Sequence, residues 1–277
     1  MNVRPELGDL ARAEFEARLN LALRRAEEAE ARSADVREGA LLAVPAGQWG
    51  EFALWNLVTG SPDTARDALR RSVSWSVRWL ESVAAAGLLL LASQRRHALE
   101  VAIMAGDLEA ERRILRLHPS YGDLTVSGKG YVDALQAFLT GDEAGAAHAA
   151  ELLESVPDEK VIGRKFYPRL GPTVRAILAR NPAALRSELD AICAQHVVFS
   201  TRGFLRRAPG PVFPATCLLI VARQRGMDVD VDVRYHAVRL KLPVTVIEEW
   251  QGEPVRGLTV EGTFDIVPRA LLPDVRS

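Results

Sequence analysis

Apolar residues between positions 130 and 200 recur at helical spacing, and this pattern constrains the fold more than any other feature. The first run consists of Tyr131, Leu135, Phe138 and Leu139, which share one helix face. Gly141-Asp142 ends this helix and starts the next, whose shared face carries Ala146, Ala149, Ala150 and Leu153. Small side chains opposite bulky ones allow two helices to approach closely, so the segment predicts an antiparallel helical pair.

A second Gly-Asp pair indicates that the helical hairpin is repeated. Gly106-Asp107 precedes Gly141-Asp142 by about 35 residues, and each pair stands between two predicted helices. Helical-hairpin repeats of the tetratricopeptide kind have a period close to this value. We therefore predict a helix over residues 88–105, a second over residues 108–117 and a degenerate hairpin repeat.

The spacing of apolar residues changes after Gly226. Valines there alternate with Asp228, Asp230 and Asp232, and such alternation is typical of a β-strand. A change of phase near His236-Ala237 predicts a bulge or bend. Side chains two residues apart on a strand share a face, so the three aspartates are expected to form an acidic ridge.

These patterns together predict a mainly α fold. It consists of antiparallel helical hairpins in a tetratricopeptide-like bundle, with a small C-terminal β element. Residues 1–226 are expected to form the helical domain, and residues 227–277 a β-containing extension packed on it. The tryptophans at helical spacing (Trp49, Trp55, Trp75 and Trp79) are interpreted as core rather than as a ligand cage.

Composition excludes several classes of protein. A chain of 277 residues with 48% hydrophobic and 26% charged residues has the composition of an ordinary globular protein. Its net charge of -1 argues against a chain built wholly to bind nucleic acid. The most apolar run, Val83 to Ala92, is shorter than the roughly 20 residues that a membrane span needs, so we expect a buried helix and no membrane partner. Two cysteines and an N-terminus without an apolar signal segment favour the cytoplasm.

No motif for catalysis or for a cofactor is complete in this sequence. Gly128-Lys129-Gly130 lacks the spacing and the following Ser or Thr of a phosphate-binding loop, so we interpret it as a connection before a helix that starts at Tyr131. Cys193 and His196 supply half of a zinc site, and no second pair accompanies them. His196 also lacks a nucleophilic serine in a suitable turn and is interpreted as a packed histidine. We therefore expect no catalytic residue, no metal and no cofactor.

Several segments in order resemble the immunity protein 49 family of bacterial polymorphic toxin systems. They are Tyr131 to Phe138 with Gly141-Asp142, Lys165-Phe166-Tyr167-Pro168, Asn181-Pro182-Ala183 before the helix with His196, and Phe213-Pro214 opening a helix that ends at Arg225-Gly226. The order and rough spacing of these segments hold over roughly half of the chain. The tail departs from the family pattern, because an apparent strand insertion delays its nearest match, which begins at Phe264. It implies a non-catalytic protein that binds and neutralises a cognate toxin encoded by a neighbouring gene, without direct contact to nucleic acid.

Two other functions stay open on the residues alone. A helical-repeat adaptor or regulator would present a concave groove, and an enzyme would need a pocket that gathers His196 with acidic side chains. For a toxin partner the candidate surfaces differ in charge. The acidic one joins Asp228, Asp230 and Asp232 to Glu248 and Glu249, and the basic one is the loop with Arg202, Arg206 and Arg207.

Overall fold

The computed structural model describes residues 9–36, 40–59, 61–119, 122, 124–155, 169–201, 213–229, 234–242 and 258–265. The α-helices in this part are α1 (Asp9–Ser33), α2 (Ala43–Thr59), α3 (Pro62–Ala85), α4 (Ala92–Ala105), α5 (Leu108–Leu115), α6 (Val126–Thr140), α7 (Glu143–Glu154), α8 (Leu170–Leu178), α9 (Pro182–Thr201) and α10 (Phe213–Gln224). A short 3-10 helix (Ala40–Leu42) precedes α2. The prediction of a mainly helical fold is confirmed.

Consecutive helices from α1 to α4, and from α6 to α9, pack against each other. The hairpins α4/α5 and α6/α7 have junctions of the same geometry. Gly106 and Gly141 adopt left-handed backbone conformations, with φ of 66° and 76°. The carboxylate of Asp107 then accepts a hydrogen bond from the backbone N–H of Ala110, and that of Asp142 from the N–H of Gly145. Glycine ends one helix without steric cost and aspartate caps the next, so the two predicted junctions share one local cause.

A third junction of this kind lies between α8 and α9 and was not predicted. Arg180 has a φ of 47°, which places it in the left-handed region that glycine occupies at the other two junctions. The side chain of Asn181 accepts a hydrogen bond from the N–H of Ala184 at 3.0 Å, as the aspartates do elsewhere. Arginine and asparagine obscure the repeat in the sequence, although the backbone repeats it.

Small residues let α6, α7 and α8 approach closely. Ala146, Ala149 and Ala150 of α7 are buried. A Cβ atom added at Gly130 of α6 would lie 3.0 Å from Cγ of Leu153, and one added at Gly171 of α8 would lie 3.0 Å from the backbone oxygen of Ala150. The close helix approach predicted from the alanines therefore extends to a second pair of helices.

The interpretation of Gly128-Lys129-Gly130 as a connection is wrong. These residues belong to α6, which begins at Val126 rather than at Tyr131. The hydroxyl of Thr125 accepts a hydrogen bond from the N–H of Gly128 at 3.1 Å, so a helix cap starts α6 five residues early. That N–H already has a partner within the helix cap.

The expected buried helix over Val83 to Ala92 is also wrong. Helix α3 ends at Ala85, Gly87 turns the chain with a φ of 65°, and α4 begins at Ala92 instead of residue 88. Leu88 and Leu89 are exposed in this turn. Among the described residues, no helix combines the length and apolar character needed to cross a membrane.

Tryptophans join α1 to α2 and α3 through one carboxylate. Glu30 of α1 accepts hydrogen bonds from the indole N–H groups of Trp49 and Trp75, each at 3.1 Å. Arg71 lies over the ring of Trp49 and Arg78 over the ring of Trp75, at 4.5 Å and 4.9 Å from the centroids. The two tryptophans are buried, as the core interpretation predicts, whereas the side chain of Trp55 lies outside the described residues.

Helix α10 packs across α4, α6, α8 and α9. Every residue from 215 to 222 is buried, so this part of the helix is buried on all sides and lies inside the helical core. Gly226 ends it with a φ of 82°, and Met227 and Val229 are also buried. The first helices of the α4, α6 and α8 hairpins are thus covered by a helix from the same chain.

Two strands follow the helices. Strands β1 (Arg234–Leu242) and β2 (Leu258–Asp265) pair in antiparallel fashion, with an irregular register between Ala237 and Leu240. Asp228 was expected on a strand, but it precedes β1 in a segment without regular structure. The chain leaves α10 through Gly226 here, and the described strand pairing includes Arg234 and the residues after it. Whether residues 227–277 form a separate extension stays a prediction.

A buried ionisable cluster as the candidate functional site

Helices α4, α6 and α10 bring three ionisable side chains together inside the core. Glu100 is 4% exposed, and Tyr131 and Cys217 are fully buried. The thiol of Cys217 donates to the backbone oxygen of Glu100 at 3.6 Å. The hydroxyl of Tyr131 faces the Glu100 carboxyl and the Cys217 thiol, yet within the described part of the chain no atom completes a hydrogen bond of ordinary geometry with it.

Local sequence explains why a carboxyl lies in this place. Glu100 is the only charged residue in the run from 98 to 105 of α4, all of which is buried. Alanines, leucine, isoleucine and methionine on either side direct this helix into the core, and the glutamate is carried in with them. Its burial is therefore a consequence of the helix that contains it, since isolated glutamates otherwise avoid such positions.

Burial shifts the protonation of the whole cluster. It raises the pKa of Glu100 to about 7, against smaller opposing effects of Arg96 and Tyr131. Burial also raises the pKa of Tyr131 and that of Cys217 well above their ordinary values, and the nearby charge of Glu100 adds to both shifts. Of these three groups, only Glu100 can therefore bind or release a proton near neutral pH.

A second carboxyl borders the cluster from α5. Glu111 is buried, and desolvation together with Asp107 raises its pKa to about 7, while Arg112 opposes the shift. Its Oε1 atom has no hydrogen-bond partner among the described residues. The charge of Glu111 also contributes to the raised pKa of Cys217, so the two carboxyls act on the same thiol.

Arg95 joins α4 to the helices on either side of this region. Its guanidinium donates to the backbone oxygens of Ile114 and Leu115 at the end of α5, and to the side-chain oxygen of Gln136 on α6. Carbonyl groups at a helix C-terminus carry partial negative charge and favour a cation there. Burial lowers the pKa of Arg95, and the charge of Asp133 opposes this.

The chemistry available to the cluster is proton binding rather than nucleophilic attack. A reactive cysteine needs a lowered pKa and some exposure, and Cys217 has a raised pKa and none. Tyr131 is likewise held in its neutral form. Glu100 could change charge near neutral pH, but α10 separates it from solvent.

The other residues singled out in the sequence are only partly described. Cys193 is buried, and burial with the nearby charge of Asp190 raises its pKa to about 12, whereas the side chain of His196 lies outside the described residues. Within the described residues, no three His, Cys, Asp or Glu side chains are grouped so as to hold a metal ion. These observations leave the half zinc site without a partner pair in the described ranges.

Among the predicted partner-binding residues, only Asp228 is described. It is exposed, and its carboxylate lies 3.4 Å from the guanidinium of Arg223. The others lie outside the described residues: Asp230, Asp232, Glu248, Glu249, Arg202, Arg206 and Arg207. The acidic surface and the basic loop both stay predictions.

The residues that carry the family resemblance have structural roles in α6 and its junction. Leu135 and Phe138 are buried with Tyr131, and Gly141 and Asp142 form the turn to α7. Sequence reasoning missed Glu100 and Glu111. The available signal was the single glutamate, Glu100, within the apolar run of α4.

Comparisons of the chain with models of protein families, with curated proteins and with solved structures found no match.

Proposed function

We propose that this protein is an immunity protein that binds a cognate toxin and neutralises it without catalysis. The observation that carries this proposal is the ordered resemblance that runs from Tyr131 to Gly226. A stack of helical hairpins supports it, because such folds present extended surfaces to protein partners. The proposed partner is a protein encoded next to this one, with no direct role for nucleic acid, membrane or cofactor.

The state of the ionisable cluster favours binding over catalysis. Burial raises the pKa values of Glu100, Glu111 and Cys217, and groups with shifted pKa values often mark active sites. Here they are enclosed by α4, α5 and α10, and the thiol is kept protonated. These groups are buried within the described part of the chain, so a substrate would reach them only if the surrounding helices moved.

An adaptor that binds a peptide in a concave groove is the alternative function. In tetratricopeptide-like stacks the concave surface is the usual binding face. Helix α10 covers the first helices of three successive hairpins here, so a partner peptide would compete with this helix. This arrangement favours a partner that binds at another surface.

Charge suggests where the toxin binds. An inhibitor must associate with its toxin quickly, and complementary charge raises association rates by orders of magnitude. A toxin that acts on nucleic acid would be basic, which favours the acidic residues Asp228, Asp230 and Asp232 over the basic loop. The exposed carboxylate of Asp228 is compatible with this choice.

The test is co-expression of the protein with the product of the adjacent gene. We expect co-purification and protection of cells that express the toxin. Changing Asp228, Asp230 and Asp232 together to Lys should slow association and weaken its dependence on salt. Matched reversal of Arg202, Arg206 and Arg207 to Glu provides the control.

Each outcome of this experiment has a defined meaning. Loss of rate only in the aspartate variant supports the acidic surface, and loss only in the arginine variant shows that the basic loop binds the toxin. No association and no protection by the parent protein would refute the immunity function itself.

A further inference from the structure

Helix α10 is the element whose docking closes the core of this protein. It packs against the preceding helix α9 and against α4, α6 and α8, which are more distant from it in sequence. Its contacts with α4 include the edge-on packing of Phe213 against the ring of His97, at 5.9 Å between centroids. Its C-terminal end is attached to the α6/α7 hairpin, because Arg225 donates to Glu143 at 2.6 Å and lies over Phe138.

The interface of α10 buries polar side-chain atoms as well as apolar ones. The hydroxyl of Thr216 on α10 is buried without a hydrogen bond from any described residue, whereas the buried hydroxyl of Tyr131 on α6 faces the Glu100 carboxyl and the Cys217 thiol. A buried polar group without a partner destabilises the structure that buries it, whereas water would satisfy the same group. Docking of α10 is therefore weaker than the docking of a wholly apolar helix of this size.

The only carboxyl in the contact between α4 and α10 is that of Glu100. It is faced by Arg96 from its own helix, by Tyr131 from α6 and by Cys217 from α10. Arg96 and the Tyr131 hydroxyl stabilise the carboxylate of Glu100 only in part, because desolvation outweighs both effects. Glu111 of α5 adds a second negative charge near the thiol. An ionised Glu100 gains hydration when α10 moves away, so its charge and the docking of α10 oppose each other.

We propose that α10 is a displaceable inner helix whose docking against α4 and α6 requires protonated Glu100. Above neutral pH the carboxylate favours release of α10, and release uncovers the faces of α4 and α6 that it occupies. Below neutral pH the protonated carboxyl permits docking. The proposal concerns the chain itself and does not rest on the identity of a toxin.

His97 is a further titratable group beside α10, and its effect has the opposite sign. Burial and the nearby Arg96 lower the pKa of His97 below its ordinary value of 6.5. Loss of its proton therefore favours the packed state as pH rises, whereas loss of the Glu100 proton disfavours it. Release of α10 at higher pH can then be attributed to a carboxyl and not to His97.

Hydrogen exchange measured by mass spectrometry at pH 6 and pH 8 tests this proposal. After correction for intrinsic exchange rates, the protection of α10 amides should fall about tenfold between these values, because the pKa of Glu100 changes between about 7 when docked and 4.5 when exposed. Amides of α7 serve as the internal reference and should keep their protection.

The variant Glu100→Gln has the same shape and no titration, so its α10 protection should be the same at both pH values. Glu109→Gln, on the exposed side of α5, is the matched control and should behave as the parent does. Equal pH dependence in the parent and in Glu100→Gln would overturn the proposal. An equal loss of protection in α7 and α10 would also overturn it, since the whole chain would then be unfolding.

Discussion

The backbone at Arg180 offers a quantitative test of the repeated hairpin junction. Gly106 and Gly141 adopt the left-handed conformation at two junctions, and Arg180 adopts it at the third with a φ of 47°. A residue with a Cβ atom costs roughly 1–2 kcal/mol in this conformation. Glycine loses about 0.4–1 kcal/mol more than other residues when the unfolded chain becomes ordered. Arg180→Gly should therefore stabilise the protein by about 0.5–1 kcal/mol.

Two further variants isolate the backbone effect. Arg180→Ala removes the charged side chain but keeps Cβ, so it should leave the free energy of unfolding nearly unchanged. Gly141→Ala is the reciprocal change and should destabilise by about 0.5–1 kcal/mol, because nothing lies within 4 Å of the added Cβ and only backbone strain is introduced.

Urea unfolding followed by far-ultraviolet circular dichroism measures these differences, and thermal unfolding provides a second value. For a chain of this size, Arg180→Gly should raise the Tm by about 2 °C. The reasoning fails if Arg180→Gly is no more stable than Arg180→Ala, because the two differ chiefly in the freedom of the backbone at this residue.

Three further predictions concern helix packing, the tryptophan contact and pH. Gly47→Ala should stabilise the protein by about 1 kcal/mol, because alanine favours a helix and the added Cβ enters open space. Gly171→Ala should destabilise it by about 1–3 kcal/mol, because the added Cβ would lie 3.0 Å from the backbone oxygen of Ala150. Urea unfolding of both variants checks that the two effects have opposite signs. Glu30→Ala should lower the free energy of unfolding by about 1–2 kcal/mol and change tryptophan fluorescence, because two indole N–H groups lose their acceptor. Glu28→Ala loses only an exposed ion pair and should change neither the stability nor the fluorescence. The pKa of Glu111 is about 7 in the folded chain and 4.5 in the unfolded chain, so the folded state loses stability as pH rises between these values. The variant Glu111→Gln should therefore be more stable than the parent by about 2–3 kcal/mol at pH 8. Near pH 4.5 the two proteins should be equally stable.

Helix bounds followed from sequence wherever a local interaction defines them. The turns at Gly106 and Gly141 and the caps at Asp107 and Asp142 involve residues no more than five apart, so the sequence around each junction contains the whole cause. The same reasoning failed at Gly128 and at Leu88. At Gly128, the cap formed by Thr125 starts α6 before the glycines, where the sequence predicts a connection. At Leu88, the apolar run predicts one continuous helix, but Gly87 turns the chain within it.

Long-range packing decided what the sequence left open. Glu100, Tyr131 and Cys217 are separated by 31 and 86 residues, and only the insertion of α10 across α4 and α6 brings them together. The close approach at Gly130 and Gly171 likewise depends on the neighbouring helix, because the same glycine in an open position would only weaken a helix. The sequence by itself determined the helical character of the fold, the junctions at Gly106 and Gly141 and the alternation after Gly226. Tertiary structure decided which helix fills the core and which carboxyls lose water, because both depend on neighbours that no local pattern specifies.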